Sequence, residues 1–377
     1  MSEISELRFY HELKQWHALK QVPLAKDLFP DDSWYQIMTF IYDKVKQLYA
    51  ELPMRKNGEE PFIHPINVYY FLSQASVNGE IVDKVTLAAG LLHDYVEEQV
   101  DYMNRNGDKV IFELEDELTR TINNSGFPTN NAKEIIEIVK LMTMEKGTTY
   151  YKYLSKVFLT SNLELKEKTI QIKLADRTHN VLCIECFNER ERIYQCFKNL
   201  FLLNNVKNFL LDKHGEKMFT GTVNNVTEKL FNKCIKATYD AFIHIYHDQL
   251  TKGIYSINSM LQMAFKKFVF LNDGLEIVTK HNNHEAHLTR LYHGIILKFD
   301  ARLHGEFSIF NDYNYEEVEY CRRFFSELNF SNEQLQAIVD YKDAYAFKET
   351  LARLLYKPSY FMSLFVANEL SKEGRIV

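Results

Sequence analysis

Apolar residues recur every three or four positions along most of this chain, a spacing that places them on one face of an α-helix. The stretches WYQIMTFIYDKVKQLYAEL (34–52) and LKEKTIQIKLADRTHNVLCIECF (165–187) show this period clearly. Helix breakers are scarce, with 13 glycines and 7 prolines in 377 residues. The pattern therefore predicts an all-α protein.

Breaks in the periodicity suggest the order of helices. An amphipathic lead-in helix is expected from residue 1 to about 30, and Asp32 or Ser33 is a candidate N-cap for the next helix. The segment PMRKNGEEPFIHP (53–65) interrupts the pattern, which resumes at INVYYFLSQ (66–74). We expect DKVTLAAGLLHDYVEEQV (83–100) to be one helix and residues 109–145 to form one or two more.

The second half of the chain keeps the helical pattern and is rich in Phe and Tyr. No repeat, low-complexity tract or Gly/Ser linker separates it from the first half. We place a boundary at residue 205 because the polar motifs described below stop before it. The predicted organisation is one domain over 1–205 and a helical extension of unknown role over 206–377.

Charge and hydropathy exclude two broad classes of protein. The formal net charge is −6, which is unlike the basic surface of a nucleic-acid-binding protein. No apolar run approaches the roughly 18 residues needed to span a bilayer. We expect a cytoplasmic protein with no membrane association and no nucleic-acid partner.

Ionisable residues collect beside apolar runs in the first half. On a single helix, GLLHDYVEEQ (90–99) places His93 four residues before Glu97 and Asp94 four residues before Glu98. His64 precedes Pro65 at a predicted helix start.

A second polar group follows the apolar run IKLA, where IKLADRTHN places Asp176 four residues before Asn180. His64, His93, Asp94 and Asp176 together form a mixed nitrogen and oxygen ligand set suited to Mn, Fe, Co or Zn. Each residue alone has an ordinary structural interpretation as a cap, a core histidine or a surface ion pair. Their grouping beside apolar runs favours a metal site.

These motifs resemble the HD hydrolase domain of the RelA/SpoT family over roughly residues 25–200. The resemblance rests on four motifs in the family's order: RKNGEEP at 55–61, HP at 64–65, HD with EE at 93–98, and KLADRTHN at 173–180. It implies an all-helical HD-domain fold with one bound metal ion, typically Mn²⁺. It also implies hydrolysis of the 3′-pyrophosphate of ppGpp or pppGpp to give GDP or GTP.

The resemblance also implies roles for individual residues. The implied metal ligands are His64, His93, Asp94 and Asp176. Glu97 and Glu98 match the acidic pair that activates water or handles protons. Arg55, Lys56, Asn57 and Asn180 match positions that contact the nucleotide.

The chain departs from the family pattern in the expected nucleotide shell. Glu98 stands where the family commonly has Asp, and Phe62 lacks the usual tyrosine hydroxyl. Two alternatives therefore stay open: an HD phosphohydrolase acting on ppApp, NADPH or a deoxynucleotide, and a weakly catalytic metal- or nucleotide-binding sensor. No synthetase-like motif follows residue 205, so the extension could cap the site, mediate homo-oligomerisation or bind a regulator.

Overall fold

The computed structural model describes residues 13–102, 108–145, 147–215, 225–272 and 287–362, with positions 365, 370, 371 and 376. The helices of the first half are α1 Ala25–Leu28, α2 Tyr35–Tyr49, α3 Ile63–Ser73, α4 Lys84–Leu92, α5 Tyr95–Tyr102, α6 Asp108–Asn124, α7 Thr129–Met142, α8 Tyr150–Phe158 and α9 Leu163–Leu182. Those that follow are α10 Glu189–His214, α11 Val226–Thr251, α12 Tyr255–Asn272, α13 Ile295–Leu303, α14 Phe307–Phe324 and α15 Asn332–Tyr356.

Helices dominate these residues, and the all-α prediction is confirmed. Short 3₁₀ turns cover Ile184–Cys186, Leu288–Tyr292 and Ser326–Leu328. The only extended pairings within the described ranges are two isolated β-bridges, which join Val77 to Glu80 and Leu370 to Ile376.

Local sequence explains where several helices begin and end. Helix α4 starts after Asp83, whose side chain accepts a hydrogen bond from the backbone nitrogen of Thr86. Helix α15 starts with a capping box between Ser331 and Gln334. Helix α10 ends at Gly215, whose φ of 69° lies in the left-handed region that glycine adopts without steric cost.

Helices α3 and α9 lie at the centre of the first half. Nine of the eleven residues of α3 are buried, which is expected of a helix enclosed on all sides. Helix α9 packs against α3, α4, α7 and α8, and also against α11 of the second half. Gly90 lets α4 approach α3 closely, since a Cβ added there would lie 2.5 Å from the Cδ1 of Leu72. This central packing positions the polar residues described below.

Helix α11 joins the two halves of the chain. It packs against α9 and α10 on one side and against α15 on the other. The apolar core runs without interruption through both halves. Residue 205 lies within α10, so the division at that residue does not coincide with a loop, and it stays a prediction.

Three detailed expectations are wrong. The lead-in helix is absent from residues 13–24, where the structure has irregular backbone and only the short α1 follows; residues 1–12 lie outside the described ranges. Asp32 and Ser33 are not the N-cap of α2, because that helix begins one or two residues later than they would cap it, after Trp34. The Oδ1 of Asp32 instead accepts a hydrogen bond from the Trp34 backbone nitrogen at 2.7 Å.

The third correction concerns the HD motif. The chain does not form one helix over 83–100; α4 ends at Leu92 and α5 begins at Tyr95. His93 and Asp94 occupy the turn between them. The helical hydrogen bonding resumes directly after the turn, because the Glu98 backbone nitrogen donates to the Asp94 carbonyl at 3.0 Å.

No helix of the described residues is long and apolar enough to cross a membrane.

Candidate metal centre

Three helical segments bring the predicted metal ligands to one place. His64 lies in the first turn of α3, His93 and Asp94 lie in the turn between α4 and α5, and Asp176 lies in the second half of α9. Both histidines are at most 3% exposed, and Asp176 is 4% exposed. The close packing of α4 and α9 on α3 therefore collects ionisable side chains inside the apolar core, where they require compensation.

The ligand atoms of three of these residues converge. One nitrogen of each histidine and one oxygen of Asp94 lie within 4.8 Å of one another. The Oδ2 of Asp94 is 3.0 Å from the Nε2 of His93 and 3.1 Å from the Nε2 of His64. The two Nε2 atoms are 3.2 Å apart. The Oδ1 of Asp176 approaches the same His64 atom at 3.5 Å.

The backbone fixes which nitrogen of His93 carries a proton. Its Nδ1 is 2.9 Å from the carbonyl oxygen of Gly90, and a carbonyl oxygen can only accept. Nδ1 therefore donates, which leaves the Nε2 of the neutral ring with a free lone pair. Histidine ligands of metal ions are oriented in this way, with the second ring nitrogen donating to a carbonyl.

His64 is oriented by a second buried imidazole. Its Nδ1 lies 2.7 Å from the Nδ1 of His179, so one of these nitrogens donates to the other. The Nε2 of His179 is 3.7 Å from the sulfur of Cys183. If His64 donates through Nδ1, its Nε2 is free to bind a cation, and His179 donates onward to the thiol. Burial and the neighbouring His64 hold the pKa of His179 well below its ordinary value, which keeps this ring neutral.

Positive charge is favoured where the ligand atoms meet. Burial lowers the pKa of His93, but Asp94, together with Asp176 and the Gly90 carbonyl, outweighs burial and raises the pKa to about 9. Burial acts to raise the pKa of Asp94, whereas His93 and His64 hold it well below its usual range. Lone pairs this close repel one another unless a cation lies among them. The arrangement therefore has the electrostatics of a cation site.

Asp176 has partners that hold it in place beside His64. Lys173 lies one turn earlier on α9, and its Nζ is 2.9 Å from the Oδ2 of Asp176. Asn180 lies one turn later, and its Nδ2 donates to Oδ1 at 2.6 Å. Burial acts to raise the pKa of Asp176, but Lys173 and His64 hold it well below its usual range. Lys173 was not among the predicted site residues, although its position three residues before Asp176 places both on one helix face.

The two glutamates of α5 occupy different positions. Glu97 is half-buried and accepts a hydrogen bond from the Met144 backbone nitrogen through Oε1. Burial, aided by the charge of Asp94, raises the pKa of Glu97 to about 7. Glu98 is also half-buried, and its charge contributes to raising the pKa of the buried Tyr49. Glu97 is thus the carboxyl poised to exchange a proton near neutral pH.

The predicted nucleotide-contacting residues are only partly assembled near these ligands. Arg55 is half-buried, and its charge contributes to lowering the pKa of His179, which places it within electrostatic reach. Lys56 is exposed, with its Nζ 3.5 Å from Glu191 and 5.8 Å from the Phe187 ring. Asn57 is exposed, and its Oδ1 accepts from the Glu59 backbone nitrogen at 3.1 Å. These assignments stay predictions.

The donor set fits a divalent transition-metal cation. Two imidazole nitrogens and two carboxylate oxygens satisfy the ligand preferences of Mn, Fe, Co and Zn alike. The carbonyl contact of His93 and the Lys173 and Asn180 contacts of Asp176 supply the outer hydrogen bonds that such sites need. Within the described residues, no other group of His, Cys, Asp and Glu has this compact geometry.

Comparison with known proteins adds no further assignment. No protein-family model matches the chain, and no curated protein matches it either.

Proposed function

We propose that the chain is a metal-dependent 3′-pyrophosphohydrolase acting on guanosine alarmones, which converts ppGpp or pppGpp to GDP or GTP and pyrophosphate. The observation that supports it most is the convergence of two histidine nitrogens and an Asp94 oxygen within 4.8 Å, with Asp176 beside them. The choice of substrate rests on the resemblance of the RKNGEEP, HD and LADR motifs to the RelA/SpoT hydrolase domain. HD-domain identity and the Mn²⁺ cofactor are parts of the same proposal.

The residues present can perform the proton transfers that hydrolysis requires. A divalent cation held by His64, His93, Asp94 and Asp176 would activate water and offset charge on a phosphoryl group. Glu97 has one oxygen tied to the Met144 backbone and a second oxygen that can accept a proton from water. A pKa of about 7 lets this carboxyl act as a general base at neutral pH.

Lys173 contributes a fixed positive charge on the other side of Asp176. Burial opposes its charge, but Asp176 together with Tyr153, Tyr150 and Glu97 outweighs burial and holds the pKa of Lys173 well above its ordinary value. A lysine that stays charged at every accessible pH can neutralise a phosphate oxygen brought next to Asp176. If His64 donates through Nδ1, His179 and Cys183 complete the chain that leaves the Nε2 of His64 free.

A second candidate is favoured by the positions of the nucleotide-contacting residues. Lys56 contacts Glu191 and Phe187, and the amide of Asn180 is already engaged by Asp176. These contacts keep a different nucleotide, such as ppApp, NADPH or a deoxynucleoside triphosphate, as the second candidate, because the residues matched to guanosine alarmone binding are engaged elsewhere. The metal chemistry is the same for both candidates.

Turnover by the full-length chain tests the proposal. Purified protein with Mn²⁺ is incubated with ppGpp, pppGpp, ppApp, NADPH or dGTP, and the products are separated by chromatography. His93→Ala removes one ligand, and His244→Ala is the matched control because His244 is exposed on α11. Pyrophosphate release from ppGpp or pppGpp that is lost only in His93→Ala supports the alarmone hydrolase.

Other outcomes reassign or remove the function. Hydrolysis of ppApp, NADPH or dGTP alone supports the second candidate. Failure to hydrolyse any of these nucleotides contradicts both enzymatic candidates and supports a sensor.

A further inference from the structure

Two cations from different halves of the chain lie on one tyrosine ring near the metal centre. The guanidinium carbon of Arg302, on α13, is 3.9 Å from the centre of the Tyr194 ring. The Nζ of Lys198, on α10, is 4.9 Å from the same ring centre and 5.4 Å from that of Tyr150. Both side chains are half-buried. A cation over the face of an aromatic ring is attracted to it, but this attraction does not offset the cost of burying two neighbouring positive charges.

The charge of Glu191 acts on Arg302 and that of Asp176 acts on Lys198, but both carboxylates lie beyond the distance of an ion pair. Within the described ranges, neither Lys198 nor Arg302 forms an ion pair with a carboxylate, and the Nε of Arg302 is buried without a hydrogen-bond acceptor. Arginines are rarely left in this state, because an unmet buried donor is costly. Burial lowers the pKa of Lys198 to about 7, and the charges of Arg177, Lys173 and Arg302 act in the same direction.

A third polar group beside Lys198 also lacks a partner. Tyr150 is 8% exposed, and its hydroxyl is buried without a hydrogen-bond partner in the described part of the chain. The Tyr150 hydroxyl, the Lys198 ammonium and the Arg302 guanidinium thus belong to one cluster around the Tyr150 and Tyr194 rings. An anion with several oxygens would satisfy all three, and the planar fork of arginine fits two oxygens of one phosphate.

This cluster is continuous with the metal centre. Lys173 has its Nζ 2.9 Å from Asp176 and 5.1 Å from the centre of the Tyr153 ring. The Tyr153 and Tyr150 rings are 6.3 Å apart between centres, and Tyr150 contacts Lys198. Each step from the metal ligand to the two cations is therefore 6.3 Å or less.

We propose that Lys198, Arg302 and the Tyr150 hydroxyl form an anion subsite that binds a second phosphate-bearing group of the substrate, separate from the group that is cleaved. This inference rests on the proposed function for its substrate and on the cation cluster for its location. It gives the C-terminal region a direct role, since Arg302 reaches the subsite from α13. It names the substrate class as nucleotides phosphorylated at two positions.

Binding of inorganic pyrophosphate tests the subsite without turnover. The full-length chain is treated with a chelator, so that the metal centre does not contribute, and pyrophosphate is titrated calorimetrically. We expect Lys198→Met and Arg302→Gln each to weaken pyrophosphate binding about tenfold, as loss of one charge-assisted hydrogen bond does. Arg302→Lys keeps the charge but not the fork and should be intermediate.

The matched control is Arg322→Gln. Arg322 is exposed on α14, and its Nε is 3.0 Å from Glu319, so its charge already has a partner. This variant should bind pyrophosphate like the unmodified chain. Melting temperatures of all variants establish that they are folded before their affinities are compared. Equal affinity in the unmodified chain, Lys198→Met and Arg302→Gln would overturn the subsite, as would absence of pyrophosphate binding at millimolar concentration.

Steady-state kinetics separates this inference from the proposed function. With ppGpp, both variants should raise KM about tenfold; with guanosine 3′-diphosphate, which lacks the 5′ phosphates, they should match the unmodified chain. If no nucleotide is hydrolysed but pyrophosphate binding still depends on Lys198 and Arg302, the subsite stands and the proposed function fails. If ppGpp is hydrolysed with the same KM by all variants, the function stands and the subsite fails.

Discussion

Buried charge is arranged differently in the two halves of this molecule. In the second half, Lys298 and Lys342 face Glu317 and Asp343, and each ammonium is 2.5–2.9 Å from both carboxylates. In the first half, the carboxylate of Asp94 faces two imidazole nitrogens whose lone pairs point toward the same place. All four side chains of the C-terminal group are at most 8% exposed, so both arrangements lie inside the core.

The comparison shows how a structural ion network differs from a binding site. The C-terminal tetrad contains two positive and two negative groups, so its charges compensate one another without a ligand. In the candidate metal centre the pKa of His93 is raised to about 9, so a proton on this imidazole compensates the Asp94 carboxylate. The proposed function requires that a metal ion replace this proton. Burial and charged residues are common to both, and only the balance of donors and acceptors distinguishes them.

The largest effect is expected from Glu97, which belongs to the site rather than to a balanced network. Glu97→Gln should lower kcat by about 100- to 1000-fold, since it removes a general base while leaving Mn²⁺ affinity in place. Exposed Glu113→Gln, on α6, is the control. Because the pKa of Glu97 is raised to about 7, the base is protonated below that pH. If the proposed hydrolysis takes place, its rate in the unmodified chain should therefore fall about tenfold per pH unit on the acidic side. Unchanged kcat in Glu97→Gln would contradict this role.

Removing one cation from the tetrad should destabilise the fold without touching the site. Lys298→Met leaves Glu317 and Asp343 with a single ammonium, and we expect a loss of about 3 kcal/mol in the free energy of unfolding. Lys140→Met, which breaks a more exposed ion pair with Glu115, should cost less than about 1 kcal/mol. Urea denaturation measures both. Equal losses of unfolding free energy in Lys298→Met and Lys140→Met would contradict the described difference between the two halves. Loss of Mn²⁺ affinity in Lys298→Met would contradict it too.

A smaller effect is expected from replacing His179, whose imidazole contacts that of His64. His179→Phe keeps the ring volume but removes the acceptor for the His64 Nδ1 proton, so Mn²⁺ affinity should fall by about 10- to 100-fold. His244→Phe, at an exposed position, should leave affinity unchanged. Calorimetric titration measures the Mn²⁺ affinity of both variants. Identical affinities for the two variants would mean that His179 does not orient the ligand.

The smallest effect is expected from Asp340, a buried carboxyl of the second half that lies outside the tetrad. Asp340 is 6% exposed, and it accepts a hydrogen bond from Gln336 at 2.9 Å but forms no ion pair with the described residues. Burial raises its pKa from 3.8 to about 7, so the native state retains a proton that the unfolded chain has already released. This contribution to stability is fully present below pH 4 and is lost as pH rises through about 7.

Asp340→Asn abolishes that titration. Relative to the unmodified chain, the variant should gain on the order of 2 kcal/mol in unfolding free energy between pH 5 and pH 8. Chemical denaturation at the two pH values measures the gain. A pH-independent difference would show that Asp340 stays ionised in the native state.

The sequence predicts much of the fold because the apolar period is long and breakers are few. It misses features that depend on packing between distant segments. The turn at His93 and Asp94 has helical neighbours on both sides and no Gly or Pro to mark it, so the pattern predicts one continuous helix. The lead-in segment is amphipathic, but residues 13–24 pack on the core as irregular chain, with Trp16 stacked on Phe71 at 5.3 Å.

The candidate site, like the fold, can be predicted from sequence only in part. The residues of the HD and LADR motifs can be found from sequence, because each follows an apolar run that buries it. Lys198 and Arg302 lie outside these motifs and 104 residues apart in sequence. Lys198 follows Tyr194 by four residues on α10, but only the packing of α13 on α10 brings Arg302 to the same ring. His179 is visible within KLADRTHN, but its contact with His64 requires the fold.

Manganese binding tests the central claim most directly. The chelator-treated full-length chain is titrated with Mn²⁺ by calorimetry, alongside His93→Ala and His244→Ala. The metal centre described above predicts one ion bound per chain, retained in His244→Ala and lost in His93→Ala with its fold intact by circular dichroism. Equal Mn²⁺ affinity in His93→Ala and the unmodified chain would contradict it.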